Sequence, residues 1–594
     1  MVNTSQPSST KAKRILYYSP SDERYQHFMD ALNTLPECQE CTQTQSPTMR
    51  FGDVQLEWLV KHDAEETIEL LRQLYTNLLI IDARWTQGMD PQSFEETINK
   101  ARSIVHKLDN AEDMESRYGF HRILLLLSGP DPEYIDTLLT EFGRRGIEYI
   151  LRERPATGDN DDTEFVKRVM DKSVSLIFQR RSRKTAMCLA GGGITGIYYE
   201  MGALKCLDDC LSQTGSSIPM INDFDMYFGI SAGAVVSGIL TAGYALEEMM
   251  GAIVGYEGGR IPPLSLNLFR VNHFNANGLL KRFSSAVTSS WGSIWHSLYR
   301  KQLPAIDAFL TSYFESVGPP FHSYQFQSML NKILTATGAT NDFKKLPREL
   351  YIGASDQDAR KHVLFGSESN CNIPISSAIQ ASLSIHPAFS AVKLHGRYYE
   401  DGAVTKTSNF AEAIRRGASL VLVLDPFLPF VSKEVGYANK RGILYNIDQD
   451  IRTLSFTRYE NTRNWVLRKH PDVSSYTFVP SNRLRQLLSI NPMDHRPHLE
   501  IWKGAYLSTF RRIQSLQHRM HGDLNAHGIQ FQLDKADSIA QQLRHAKKPS
   551  FEDFFVDRQP IFRAPPLSTK QPNKRKEHKT KPFEPAYISK HTLP

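Results

Sequence analysis

The chain has 594 residues, too many for one domain of ordinary size, and 41% of them are hydrophobic and 10% aromatic, enough for more than one core. Six cysteines in that length exclude a disulfide-stapled scaffold and fit a reducing compartment. Of the net charge of +6, five units come from residues 568–594, where seven Lys/Arg stand against Glu577 and Glu584; the rest is near neutral, so no broad nucleic-acid-binding face is expected.

Residues 1–12 read as a disordered start. The opening MVNTSQPSSTKAKR has no apolar signal core, and no run approaches ~18 apolar residues. The expectation is a cytoplasmic protein that touches membranes only peripherally. From 13 to 180, short apolar runs at 14–18, 54–60, 77–82, 122–128 and 148–152 alternate with helical periods at 21–35, 64–75, 93–108, 132–145 and 163–178. Five strands each followed by a helix predict a small doubly wound α/β domain. The pair Cys38-x-x-Cys41 has no second ligand pair at zinc spacing, and it reads as a loop with two free thiols. The alternation resembles a response-regulator receiver. Asp82 ends the third strand, where the phosphoacceptor would stand, Ser128 ends the fourth, and Arg154-Pro155 follows the fifth, where Lys-Pro is usual. The first strand instead ends Tyr17-Tyr18-Ser19-Pro20, without an acid pair, and Asp22 and Glu23 come later. The resemblance therefore favours a degenerate receiver-like domain that docks a protein partner or self-associates, with Mg²⁺-dependent phosphorylation of Asp82 as the alternative.

The charged run 179–184 marks a boundary, and a second domain is expected over 185–426. It opens with an apolar strand, 185–190, then Gly191-Gly192-Gly193-Ile194-Thr195-Gly196 and a helix beginning near Ile197. Glycines expose backbone N–H groups, and a helix start adds positive dipole, so such a loop holds a phosphate or an oxyanion. Next, a strand feeds Gly229-Ile230-Ser231-Ala232-Gly233 and a helix over 234–245. This is the G-x-S-x-G spacing of a nucleophile elbow, in which small neighbours make room for the serine's strained turn. Third, Tyr398–Ala403 (YYEDGA) places Asp401 before Gly402 and Ala403, where a carboxylate can take the serine's proton. A strongly apolar strand, 419–424, ends the domain at Asp425-Pro426. Helical spacing of Leu499, Trp502, Tyr506, Phe510, Ile513 and Leu516 predicts a helical extension over 427–546 that packs on the body, and 547–594 reads as a basic, Pro/Lys-rich disordered tail.

Together these elements resemble the patatin-like phospholipase family over about 186–424: glycine loop, G-x-S-x-G, then D-G-A. Glu349–Ser355 with 363–366 is similar to that family's paired strands, and Ala381-Ser382, His386-Pro387 and Phe389 to its stretch before the aspartate. The resemblance implies a three-layer α/β/α domain and a Ser231–Asp401 dyad that needs no histidine. It further implies an oxyanion hole from Gly191, Gly192, Gly193 and Ile194, and hydrolysis of lipid carboxyl esters without metal or cofactor. Many members carry Lys or Arg where this chain has Thr195. An acyltransferase would share every motif, and an inactive scaffold with a working receiver-like domain is the other alternative.

Other readings fit less well. Gly191-x-Gly193-x-x-Gly196 also matches a dinucleotide fingerprint, but the acids that should end the next strand, Asp208 and Asp209, fall in the predicted helix. An α/β-hydrolase would need a histidine after Asp401, and His470, His495, His498, His518, His521 and His527 are the candidates. The stretch Trp291, Ile294, Trp295, Leu298, Tyr299, in an insertion over 255–320, reads equally as a lid or lipid anchor and as a core helix.

Overall fold

The computed structural model describes residues 13–555 except 42–47, 53, 87, 110–119, 154–160, 178–183, 214–217, 257–258, 265–322, 387, 471 and 491–493. Arg154-Pro155, most of the 255–320 insertion with its tryptophans, and the basic tail lie outside the described residues.

The first elements are β1 (Lys13–Tyr18), α1 (Asp22–Asn33), β2 (Cys38–Cys41), β3 (Thr48–Phe51), β4 (Val54–Lys61), α2 (Ala64–Gln73), β5 (Leu78–Ala83), α3 (Pro91–Asp109), β6 (Ile123–Leu127), α4 (Pro132–Arg144), β7 (Tyr149–Arg152) and α5 (Asp161–Ile177). Their sheet runs β2-β3-β4-β1-β5-β6-β7. Its parallel strands β4-β1-β5-β6-β7 have the 2-1-3-4-5 order of a doubly wound sheet. β5 and β6 are buried along their whole length, which is why they read as unbroken apolar runs rather than alternating ones. Phe28 and Leu32 of α1 and Phe165 and Val169 of α5 cover one face. Ile98 and Ile104 of α3 and Leu138 of α4 cover the other. Asp63 accepts from the N–H groups of Glu65 and Glu66 and starts α2; Asp131 does the same for α4, ahead of Pro132. One expectation needs correction. Cys38 and Cys41 do not sit in a loop; they begin and end β2, which pairs antiparallel with β3 on the sheet edge.

The second unit comprises β8 (Lys184–Leu189), α6 (Gly193–Cys210), β9 (Leu211–Gln213), β10 (Met226–Ile230), α7 (Ala232–Thr241), α8 (Leu246–Ile253), α9 (Tyr324–Leu334), β11 (Glu349–Asp356), β12 (Lys361–Phe365), α10 (Ile375–Ser382), β13 (Val392–Leu394), β14 (Arg397–Asp401), α11 (Phe410–Arg415) and β15 (Ala418–Leu424). It continues through α12 (Ile443–Lys469), β16 (Ser474–Phe478), α13 (Asn482–Ile490), α14 (His498–Ala526), β17 (Ile529–Phe531) and α15 (Asp534–His545). The sheet order is β13-β14-β11-β10-β8-β15-β16, with β12 also on β11. β11, β10, β8, β15 and β16 run parallel, while β12 and β14 are antiparallel to β11.

Two boundaries move. α6 begins at Gly193, four residues before the expected start, and α7 spans Ala232–Thr241 rather than 234–245. The segment after Pro426 is not solely helical. β16 extends the main sheet beside β15, and β17 pairs with β9. α14 packs along α6 with Trp502, Tyr506, Phe510 and Ile513 wholly buried. The contact is close because Gly202 faces α14: a Cβ there would lie 2.6 Å from the Trp502 carbonyl and 2.8 Å from Ala505 Cβ. The same helix meets the first sheet's unit. Arg122 pairs with buried Asp523, Tyr476 donates to Asp523 at 2.5 Å, and the Arg122 guanidinium lies 4.9 Å from the Tyr75 ring centre.

Gly202→Ala therefore gains about 1 kcal/mol of helix propensity and loses more by forcing two backbones apart, for a net cost of about 1–3 kcal/mol. Thermal melting would show a lowered midpoint, with Ala505→Gly in the same chain restoring part of it.

Candidate active site

Two turns at the carboxyl ends of the parallel strands β8 and β10, the place where parallel sheets expose backbone to ligands, meet a third turn that ends the antiparallel strand β14. β10 ends at Ile230, and the next residue, Ser231, takes φ +52° and ψ −117° before α7 begins. A non-glycine residue there is strained by about 1–3 kcal/mol, and its neighbours show why it is held. Gly233 crosses β8 so closely that a Cβ would stand 2.2 Å from the Leu189 carbonyl oxygen, and one on Gly229 would stand 2.3 Å from Ser237 Oγ. The Ser231 N–H donates to Ser382 Oγ at 2.8 Å, and that hydroxyl donates to the Gly353 carbonyl at 2.6 Å. The elbow is thereby tied to α10 and β11.

Asp401 ends β14 and is 1% exposed. Its Oδ1 accepts from the Ala403 N–H at 2.8 Å, and the Ser231 side chain is near enough to favour its charged form. Gly402 is required by crowding, since a Cβ would lie 2.4 Å from the Gly353 carbonyl. Burial raises the Asp401 carboxyl to about 7; Ser231 and the bond from Ala403 work against that rise without cancelling it. The group is thus a base poised near neutral pH.

The glycine loop closes the third side. A Cβ on Gly191 would lie 3.2 Å from Ser231 Cβ and 3.8 Å from both Ser231 Oγ and Ala403 Cβ, so only glycine leaves room for a substrate atom. Gly193 has φ +67°. No side chain caps α6, so the N–H groups of its first turn, around Gly192, Gly193 and Ile194, stay available with the positive end of the helix dipole. Thr195 directs its hydroxyl back to the Gly192 carbonyl at 3.4 Å. Pro426 backs the loop, lying 2.8 Å from where a Gly192 Cβ would be, and a Gly196 Cβ would meet Ala232 Cβ at 3.3 Å. Behind it, Glu200 is wholly buried, its carboxyl raised well above the usual range by burial and by Asp425.

Sequence reading had missed the supports of this site. Ser382 stands in a quoted stretch, but only the fold shows its hydroxyl under the Ser231 N–H. Ser355 Oγ donates to the Asp401 carbonyl at 2.9 Å. Arg458, 57 residues on in α12, donates to the carbonyls of Ala403 and Val404 at 2.9 and 3.1 Å, with no local signal in the sequence. His362 binds Thr405 Oγ1 and Asn409 Oδ1 behind the turn, and burial lowers it to about 4. His527 binds Ser419, and no described histidine contact reaches Ser231 or Asp401. Asp208 and Asp209 lie within α6, and Asp209 binds Lys205, Lys535 and Tyr506.

The other predicted position is far removed, in the first sheet. Asp82 is fully buried at the end of β5, with Arg84 donating to both its oxygens and Tyr17 donating at 2.7 Å. Burial alone would raise this carboxyl; the charge and hydrogen bonds of Arg84 outweigh it and hold the group low. Arg84 also pairs with Glu153, and Ser128 Oγ accepts from the Trp85 N–H at 3.1 Å.

Residues 187–414 match the model of the patatin-like phospholipase family and form a domain of that type; the match contains the glycine loop, Ser231 and Asp401. The chain is similar to "Probable lipid hydrolase 463L" of Invertebrate iridescent virus 6, with 23% identity over 218 residues. That alignment covers 37% of this chain, and this chain spans 59% of the relative's length. Among solved structures it is similar to VipD from Legionella pneumophila, with 13% identity and a TM-score of 0.25 over 64% of this chain and 90% of VipD.

The raised carboxyl carries a stability signature. The folded protein keeps the Asp401 proton up to about pH 7, whereas an unfolded aspartate loses it near 3.8. Asp401 therefore removes stability as pH rises through that window. Asp401→Asn should be more stable than the wild type at pH 8, by on the order of 2–4 kcal/mol at most, and equal to it below about pH 4. Denaturant titrations at the two pH values check this.

Proposed function

We propose that the chain is a serine hydrolase of lipid carboxyl esters. The observation that carries the reading is the convergence of three distant backbone turns, which brings Ser231 and Asp401 together beneath the uncapped glycine loop inside a patatin-like phospholipase domain. Ser231 Oγ attacks the ester carbonyl carbon and its proton passes to Asp401. The oxyanion forms against the N–H groups of the Gly191–Ile194 loop. The intermediate collapses, the C–O bond breaks, and the leaving alcohol takes the proton back from Asp401. A water molecule then gives its proton to Asp401 as it attacks the acyl-serine, and the carboxylic acid departs with Ser231 restored. Preformed hydrogen bonds from Ser382 and Ser355 and the grip of Arg458 hold both turns in place, so reaction needs little rearrangement.

A shallow apolar recess beside α7 is compatible with an acyl substrate. Its lining includes Ile197 and Met201 of α6, Val235 and Ile239 of α7, and Phe326 of α9. Val235 lines the recess one helical turn beyond Ser231. The reading also gives the first sheet's unit a regulatory role. Its Arg122 holds Asp523 and, through it, Tyr476 on β16. That strand supports β15, whose end carries Pro426 against the glycine loop.

Fluorophosphonate labelling of the wild type, and its loss in Ser231→Ala, tests the nucleophile; ester turnover should fall about a thousandfold or more in Ser231→Ala and in Asp401→Asn. Activity should rise with pH through about 7 to a plateau, since the base must be ionised, in line with the raised carboxyl. An unlabelled, inactive wild type would sink the reading. Val235→Phe should fill the recess and shift preference to shorter acyl esters, by about tenfold between short and long chains.

A further inference from the structure

α12 turns an apolar stripe to solvent. Ile443, Ile447, Ile451 and Leu454 are 75%, 46%, 42% and 72% exposed, and Trp465 follows at 58%. At 100° per residue these five, with Arg458 among them, fall in one sector about 80° wide. Arg452, Ser455, Tyr459 and Val466 face the opposite way and are buried. Neither helix propensity nor core packing accounts for isoleucine at three successive exposed turns; such a patch marks a surface with a partner. In the loop before the helix, Val431 and Val435 are 60% and 96% exposed. That loop is fastened to α12: the Phe430 N–H donates to Gln449 at 2.8 Å, and Arg441 stacks on the rings of Tyr437 and Tyr445.

The stripe starts at the candidate active site. Arg458, which grips the carbonyls of Ala403 and Val404, stands one turn from Leu454, and Val404 is itself 45% exposed. Thr407 ties the same turn to the Ser455 carbonyl at 2.8 Å. From there to Ile443 the apolar edge runs about 16 Å along the helix. Residues 427–469 hold eight Lys/Arg and four Asp/Glu. Glu434 pairs with Lys440 and Asp448 with Arg452, so the excess is cationic. An apolar stripe with a cationic surround, continuous with the rim of an ester-cleaving site, has the chemistry of a helix lying in a lipid–water interface.

We propose that α12 and the loop before it dock on the surface of an anionic membrane, with Ile443, Ile447, Ile451 and Leu454 among the acyl chains and Lys433 and Arg441 at the headgroup phosphates. Docked in this way, the Asp401 turn faces the bilayer from which an ester must be drawn. The proposal rests on the lipid-hydrolase reading of Ser231 and Asp401, and its test separates the two. The full chain carrying Ser231→Ala is floated with phosphatidylcholine–phosphatidylglycerol vesicles, with and without Ile447→Glu and Leu454→Glu. Binding should weaken about tenfold or more in the glutamate variant, and added salt should weaken it in the parent. In the Ser231 background, the glutamate pair should lower vesicle-lipid hydrolysis in proportion, with turnover of a water-soluble short-chain ester kept. Unchanged flotation would overturn the docking surface. So would a dimer that the glutamates dissociate, which assigns the stripe to a second copy, or a lowered melting midpoint, which means the chain covers its own stripe. Flotation lost in the variant while the chain with Ser231 intact turns over neither ester would keep the docking surface and remove the hydrolase reading.

Discussion

Everything in the second unit depends on how closely its backbone turns can approach. Ser231 is held at positive φ because Gly233 and Gly402 come within contact of carbonyl oxygens on β8 and β11 and Gly229 lies against the first turns of α7. A side chain at any of these three positions would push apart the turns that carry the serine and the carboxylate. The strain at one residue is small beside the burial of the surrounding core, where β10 and β15 are covered on both faces. The sheet thus fixes the position of groups that a flexible loop would hold poorly.

Two buried aspartates show that environment, not residue type, sets the chemistry. Asp82 and Asp401 are equally shielded from water. Asp82 has a guanidinium against both oxygens, stays ionised, and closes an internal charge cluster with Tyr17 and Glu153. Asp401 has only a hydroxyl and one N–H, so burial dominates and its proton affinity rises to the neutral range. The first arrangement suits a fixed structural charge; the second suits a group that takes up and returns a proton.

The segment after Pro426 is part of the machine. β16 continues the main sheet, α14 fills the groove over α6, and Arg458 of α12 holds the turn behind Asp401. No helix among the described residues is long and apolar enough to cross a membrane; the exposed stripe on α12 is an apolar feature that the described core does not use. Its place beside the Asp401 turn follows from the same arginine that steadies that turn.

Much of this was legible in the chain itself, and the boundary has a physical cause. Strands β5 and β6 are largely unbroken apolar runs buried along their whole length, and such local patterns survive folding because both faces of a parallel sheet are covered. Gly191–Gly196, Gly229–Gly233 and Asp401–Ala403 could be read because their spacing is dictated by local crowding. The β2–β3 hairpin was hidden by its short, polar CQEC strand, and β16 by a boundary placed at a proline. Ser382, Ser355 and Arg458 were beyond reach for a different reason: a serine or arginine has no periodicity, and its function arises only when residues tens to hundreds of positions apart are brought together. Local sequence determined the strands, the turns and the reacting groups. Tertiary packing decided how deeply Asp401 is buried, and therefore its proton affinity, and which apolar face of α12 was left exposed among the described residues, because both depend on what surrounds a residue and not on what precedes it.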